Sequence, residues 1–175
     1  MKPENIFLTG FMCSGKTSAG KILARLTGRR FSDSDAEIRK ALGASPARLI
    51  KEKGEAFFRE EERKVVRSLG RKKNQVIALG GGVSLSGPEW KTVRKKSVVV
   101  YMDCPEEELS RRLLKSRKSR PLTGTGDKKA VRARVRELMR ARLAGYHTAD
   151  WIMMTWKMTP AGIASFIKEK MERNG

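Results

Sequence analysis

The segment IFLTGFMCSGKTSAGKILARL, Ile6 to Leu26, decides the fold. Ile6-Phe7-Leu8 is a short apolar strand running into Gly10. Beyond the loop, Ala19, Ile22, Leu23 and Leu26 recur at helical spacing before Gly28 stops the helix. Between strand and helix, Gly10-Phe11-Met12-Cys13-Ser14-Gly15-Lys16-Thr17 fits G-x-x-x-x-G-K-[ST], in the context a phosphate loop requires. Glycines let backbone N–H groups turn inward around phosphates, and the helix N-terminus adds the positive end of a dipole. Lys16 can reach the outer phosphates and the Thr17 hydroxyl can ligate Mg²⁺. ATP and Mg²⁺ are therefore expected, with Gly10, Cys13, Ser14, Gly15, Lys16, Thr17 and Ser18 around the nucleotide.

Outward from this segment, strands and helices alternate. Val76-Ile77-Ala78-Leu79 and Val98-Val99-Val100-Tyr101-Met102 are unbroken apolar runs, as central parallel strands covered on both faces should be; Ile152-Met153-Met154 is a weaker one. Helical patterns lie between them: Phe58, Val65, Val66 and Leu69; Leu109, Leu113 and Leu114; Val131, Val135, Leu138 and Met139. A last helix opens at Thr159-Pro160 and places Ile163, Phe166, Ile167 and Met171 on one face. This alternation predicts an α/β sandwich with a mostly parallel sheet. No repeat or linker divides the 175 residues, so one domain is expected over 1–175.

Thirty-nine Lys and Arg against nineteen Asp and Glu leave a net charge of +20, which favours phosphate-bearing partners but carries no fold information. Cys13 and Cys104 stand alone, without metal-ligand spacing, so neither a zinc site nor a disulfide is predicted, and free thiols fit the cytoplasm. The longest apolar run is too short to cross a bilayer, and no membrane association is expected.

Other clusters carry candidate chemistry. Asp33-Ser34-Asp35 follows a short apolar element around Phe31, at the sheet edge where ligands of open α/β sheets bind. One carboxylate can support the magnesium shell and the other accept a proton from an attacking hydroxyl; alternatively, Ser34 or Asp35 merely caps the next helix. Glu62 falls near the apolar stripe of its helix with Arg59 as partner, either as a surface pair or as a brace that holds Arg59 for a two-pronged grip on a carboxylate. Gly80-Gly81-Gly82 ends a strand, and three glycines there remove side chains where another group must approach closely. The basic, glycine-containing stretch from Lys115 to Lys129 reads equally as a surface loop or a closing lid.

In order, G-F-M-x-x-G-K-T, D-S-D, F-R-x-x-E, G-G-G, R-P-L and R-x-x-x-Y resemble the shikimate kinase family from Gly10 to about Asp150. The resemblance implies a three-layer P-loop NTPase of the nucleoside-monophosphate-kinase type, with a central five-stranded parallel sheet flanked by helices. It also implies transfer of the ATP γ-phosphoryl group to the 3-hydroxyl of shikimate. A substrate-binding segment would span about 35–70 and a lid about 115–129. Lys16, Asp35 and Arg120 would be catalytic, Arg120 also touching the nucleotide. Thr17 and Asp33 would serve the metal, and Asp35, Arg59, Gly81, Gly82 and Arg142 the acceptor. The family's proline between the last arginine and the tyrosine is missing from Arg142–Tyr146, which leaves Arg140 as the alternative to Arg142. Arg112 and Arg117 both lie near the adenine-stacking position, and Cys13-Ser14 stands where the family often has Gly or Ala. A monomer without a specific nucleic-acid partner is expected. The competing readings are a kinase for another acceptor, such as gluconate or a nucleoside monophosphate, and a P-loop protein that binds nucleic acid through its positive charge.

Overall fold

The computed structural model describes residues 3–85, 90, 94–116 and 127–173. Five strands, β1 (Asn5–Thr9), β2 (Arg30–Asp33), β3 (Gln75–Ala78), β4 (Ser97–Asp103) and β5 (Trp151–Met154), form one sheet in the order β2-β3-β1-β4-β5. Every pairing is parallel. The helices are α1 (Lys16–Leu26), α2 (Ser34–Leu42), α3 (Pro46–Arg71), α4 (Glu106–Lys115), α5 (Lys128–Tyr146) and α6 (Pro160–Arg173).

The apolar runs are unbroken because both faces of the central strands are covered. Ile6, Leu8, Val76, Val98 and Val100 point to one side, where Ala19 and Leu23 of α1 and Ile163 and Ile167 of α6 meet them. Phe7, Ile77 and Val99 point to the other, against Val66 and Leu69 of α3 and the ring of Trp90. The expected three-layer α/β architecture is present.

Two smaller apolar clusters sit beyond the carboxyl edge of the sheet and place the groups around the cleft. Ile38, Leu49 and Phe58 bind α2 to α3, whose axis breaks at Gly54 (φ 85°, ψ 162°). Phe11, Cys104, Leu109, Leu113, Val131 and Val135 bind α4 and α5 to the phosphate loop. Each cluster holds one wall, and the cleft lies between them.

Some expectations fail in detail. Ile152 and Met154 of β5, an edge strand and not a central one, are 51% and 73% exposed, and Leu26 at the end of α1 is 44% exposed. Leu114 is 40% exposed and Phe166 46% exposed. With about 100° between successive helical residues, each lies roughly 100° or more from the centre of its helix's buried stripe, Leu109–Leu113 or Ile163–Ile167–Met171. The predicted cap at Thr159 is present: its Oγ1 accepts from Gly162 N at 3.1 Å, with Pro160 in the first turn. Among the described residues no helix is long and apolar enough to cross a membrane.

Candidate active site

The phosphate loop leaves β1 in left-handed backbone conformations at Gly10 (φ 137°), Cys13 (φ 63°) and Gly15 (φ 99°). At Gly10 a side chain is also excluded by space, since a Cβ would lie 2.8 Å from the Met102 carbonyl oxygen of β4. Lys16 is only 8% exposed. Its Nζ donates to the carbonyls of Gly10 and Phe11, both at 2.7 Å, and lies 3.5 Å from Ser14 Oγ. The ammonium thus sits inside the loop's own ring of backbone. Thr17 and Ser18 are exposed at the mouth of α1 and line the cleft.

Asp33 ends β2 and uses its two oxygens separately. Oδ1 accepts from the backbone N–H of Asp35 and Ala36, at 3.1 and 3.3 Å, and so caps α2. Oδ2 accepts from Thr17 Oγ1 at 2.9 Å. The capping role expected of Ser34 or Asp35 therefore falls to Asp33, because the helix starts at Ser34, two residues before Ala36. Ser34 is fully buried and does other work: its Oγ accepts from Gly80 N at 2.8 Å. The hydroxyl and carboxylate brought together at Thr17 and Asp33 are hard oxygen donors suited to Mg²⁺. Among the described residues no cluster of three or more His, Cys, Asp or Glu side chains could form a protein-only cage. That donor set fits an ion that keeps waters and takes substrate phosphates as ligands.

The triple glycine is explained position by position. A Cβ on Gly80 would lie 2.5 Å from Asp35 Oδ1 and 3.3 Å from Glu62 Oε1. On Gly81 it would meet Met12 N at 2.9 Å, and on Gly82 it would meet Arg59 Nη2 and Nη1 at 2.7 and 2.8 Å. One bare stretch of backbone thus separates the phosphate loop from two carboxylates and an arginine. Asp35 lines the cleft with Gly80 and Gly81.

Arg59 donates to Glu62 Oε2 at 2.7 Å and to Glu55 Oε1 at 3.0 Å, and its guanidinium stands 5.2 Å from the centre of the Phe58 ring. Glu62 is 3% exposed, so the pair is the buried brace and not the surface bridge. Burial pushes the Glu62 carboxyl above its ordinary value, against the pull of Arg59. Burial acts to lower Arg59, but Glu62 and Glu55 more than reverse it and hold the guanidinium firmly charged.

Arg142 and Arg140 separate cleanly. Arg140 is on the exposed face of α5. Arg142 turns inward, donates to the Gly81 carbonyl at 2.9 Å and lies 5.5 Å from the centroid of Phe11. The Tyr146 hydroxyl donates to the same carbonyl at 2.5 Å. On the nucleotide side Arg112 donates to the Cys13 carbonyl at 3.2 Å and to Glu108 at 2.7 Å. Arg117, Arg120 and most of the 115–129 stretch lie outside the described residues. A cleft of about 400 Å³ is lined among others by Met12, Lys16, Thr17, Asp33, Asp35, Gly81 and Arg112; Arg59, Gly82 and Arg142 are not part of that lining.

Four contacts go beyond the sequence reading, in which Phe11 and Tyr146 stand only as members of motifs and Ser34 as a candidate cap. Glu55 could have been found at i,i−4 from Arg59. Ser34, Phe11 and the Tyr146 hydroxyl carry no signal of their own in sequence, since their partners are backbone atoms or a residue far along the chain.

The family model described as shikimate kinase matches residues 12–172. A curated shikimate kinase of Thermodesulfovibrio yellowstonii is 36% identical over 170 residues, spanning 97% of this chain and 96% of that protein. The structure of shikimate kinase from Acinetobacter baumannii in complex with shikimate superposes with a TM-score of 0.88 at 32% identity, covering 98% of this chain and 94% of the other. That of shikimate kinase from Aquifex aeolicus gives a TM-score of 0.78 at 31% identity, covering 97% of each chain. Sequence, architecture and the arrangement of phosphate loop, paired carboxylates and inward arginines lead to one assignment: the chain belongs to the shikimate kinase family.

Proposed function

We propose that this member of the family transfers the γ-phosphoryl group of ATP to the 3-hydroxyl of shikimate, with the work divided among the residues of the cleft. The observation that carries this reading is the Gly80–Gly82 backbone, which touches the phosphate loop at Met12 on one side and Asp35, Glu62 and Arg59 on the other. Donor and acceptor bound on either side of it would be held close together, the main requirement of a phosphoryl transfer.

The N–H groups of the phosphate loop and the Lys16 ammonium bind and neutralise the phosphates. Thr17 and Asp33 would hold Mg²⁺, Asp33 largely through water; the ion neutralises charge on the β- and γ-phosphate oxygens when bound. Arg59, charged and braced by Glu62, and Arg142, fixed to the Gly81 carbonyl, grip the acceptor's carboxylate. Gly81 and Gly82 let the acceptor lie against bare backbone. Asp35 accepts a hydrogen bond from the attacking hydroxyl and then its proton. The hydroxyl oxygen forms the new bond to the γ-phosphorus as the bond to the β,γ-bridging oxygen breaks, releasing ADP. Arg120 from the 115–129 segment supplies further positive charge to the transferring group.

All these groups come from one chain, so a monomer suffices. We place it in the cytoplasm, with the segments 35–70 and 115–129 as acceptor-binding and lid regions of a single domain, and with no specific nucleic-acid partner.

The test is ADP release from the purified protein with MgATP, comparing shikimate with gluconate, nucleoside monophosphates and no acceptor. Turnover with shikimate alone is expected. Turnover only with another acceptor would discard the substrate. Salt-sensitive retention on DNA without any ATP turnover would discard the kinase.

A further inference from the structure

Tyr146 takes no part in the steps above, yet it is 2% exposed and fixed from two directions. Its ring stacks on Tyr101 of β4, with centroids 5.0 Å apart and planes 20° from parallel. Tyr101 is itself tied down by donating its hydroxyl to Asp103 Oδ1 at 2.9 Å. Clamped to the sheet in this way, the Tyr146 ring directs its hydroxyl at the Gly81 carbonyl, 2.5 Å away. Burial pushes that hydroxyl up to about 12, with Arg142 pulling the other way, so it stays a neutral donor at physiological pH.

The Gly81 carbonyl also accepts from Arg142 Nη1 at 2.9 Å, and two donors saturate its two lone pairs. The Arg142 guanidinium is therefore tied to that backbone oxygen, and it also meets the Tyr146 hydroxyl itself and the face of Phe11. The orientation of that oxygen, in a segment without side chains, is set by the Tyr146 hydroxyl.

We propose that Tyr146 is a positioning residue for the acceptor: through the Gly81 carbonyl they share, and by its own contact with Arg142, it fixes the Arg142 guanidinium for the acceptor carboxylate, without touching the acceptor. The proposal rests on the reading of Arg142 as a carboxylate ligand. A purely structural role makes a different forecast. With the hydroxyl deleted, the carbonyl keeps Arg142 as a partner and the ring keeps its stack, so no buried group is orphaned and folding should be little affected. What is lost is the restraint on Arg142.

The experiment uses Tyr146→Phe, Arg142→Ala and the double variant. Steady-state kinetics would vary shikimate and ATP separately, alongside thermal unfolding midpoints. Tyr146→Phe is expected to raise KM for shikimate about three- to tenfold, the factor corresponding to one neutral hydrogen bond. KM for ATP should stay within about twofold, and Tyr146→Phe should have no further effect in the Arg142→Ala background. An unchanged KM for shikimate, equal rises in both KM values, or a rise that persists without Arg142 would overturn the proposal. If Arg142→Ala raises the acceptor KM and Tyr146→Phe does not, only the positioning role falls. If Arg142→Ala itself leaves that KM unchanged, the carboxylate reading falls and takes this proposal with it.

Discussion

Gly82→Ala should damage acceptor binding through Arg59 while sparing the nucleotide. The added Cβ would stand 2.7, 2.8 and 3.1 Å from Arg59 Nη2, Nη1 and Cζ, where ordinary contact begins near 3.4 Å. The guanidinium must therefore retreat by roughly 0.6–0.7 Å, the shortfall between those contacts and a normal separation. It is not free to do so: Nη1 is held by buried Glu62 at 2.7 Å and Nη2 by Glu55 at 3.0 Å. Moving it either stretches the Glu62 bond beyond useful length or tilts the fork away from the acceptor. A charge-assisted hydrogen bond contributes about 1.5–3 kcal/mol, so kcat/KM for shikimate should fall roughly 10- to 100-fold. Gly81→Ala is the contrast. Its Cβ would strike the Met12 backbone at 2.9 Å, which cannot swing away, so both substrates should suffer. The assay is coupled ADP release with each substrate varied against saturating partner. A Gly82→Ala enzyme with normal kcat/KM for shikimate, or one impaired equally toward ATP, would refute the reasoning.

Asp35→Asn should cut turnover sharply with ATP binding intact, checked by nucleotide titration; full activity would remove Asp35 as the proton acceptor. A chelator should abolish turnover and leave the unfolding midpoint of the nucleotide-free protein unchanged, because Thr17 and Asp33 alone do not make a cage; a large fall in the midpoint would reveal a structural metal. Gly145→Ala should raise stability by about 0.5–1 kcal/mol, since nothing lies within 4 Å of the added methyl and the site is helical; denaturant unfolding decides it. Glu62 titrates above the unfolded carboxyl's ordinary 4.5. Its protonation therefore favours the folded state at low pH, and that contribution is lost as pH rises from 4.5 through the raised value. Relative to wild type, Glu62→Gln should gain stability across that interval in urea melts, and a relative loss would reverse the sign of the burial effect.

The sheet was readable because its signals are local. Val76–Leu79 and Val98–Met102 needed only composition, and the Ile6–Leu26 segment needed only order. Phe166 and Leu114 were misplaced because apolar character does not say which side of a stripe a residue occupies. In the site, Arg59 and Glu62 were legible as an i,i+3 pair, but whether the pair was buried depended on how α3 packs. Arg142 could not be told from Arg140 by spacing alone, since the choice rests on a carbonyl 61 residues earlier in the chain. A similar distance hid the bond made by Tyr146, a residue named in the R-x-x-x-Y motif but with its partner 65 residues away. Local chemistry is written locally; contacts to backbone oxygens from distant segments are not.

Cys13 holds a left-handed conformation (φ 63°) in the phosphate loop, a turn that glycine would make without strain. The side chain raises the energy of this turn but also narrows the alternatives open to the loop when it is empty. A loop with fewer states to abandon loses less disorder on closing around phosphates, so the cost of ordering is met when the chain folds and not again each time a nucleotide arrives.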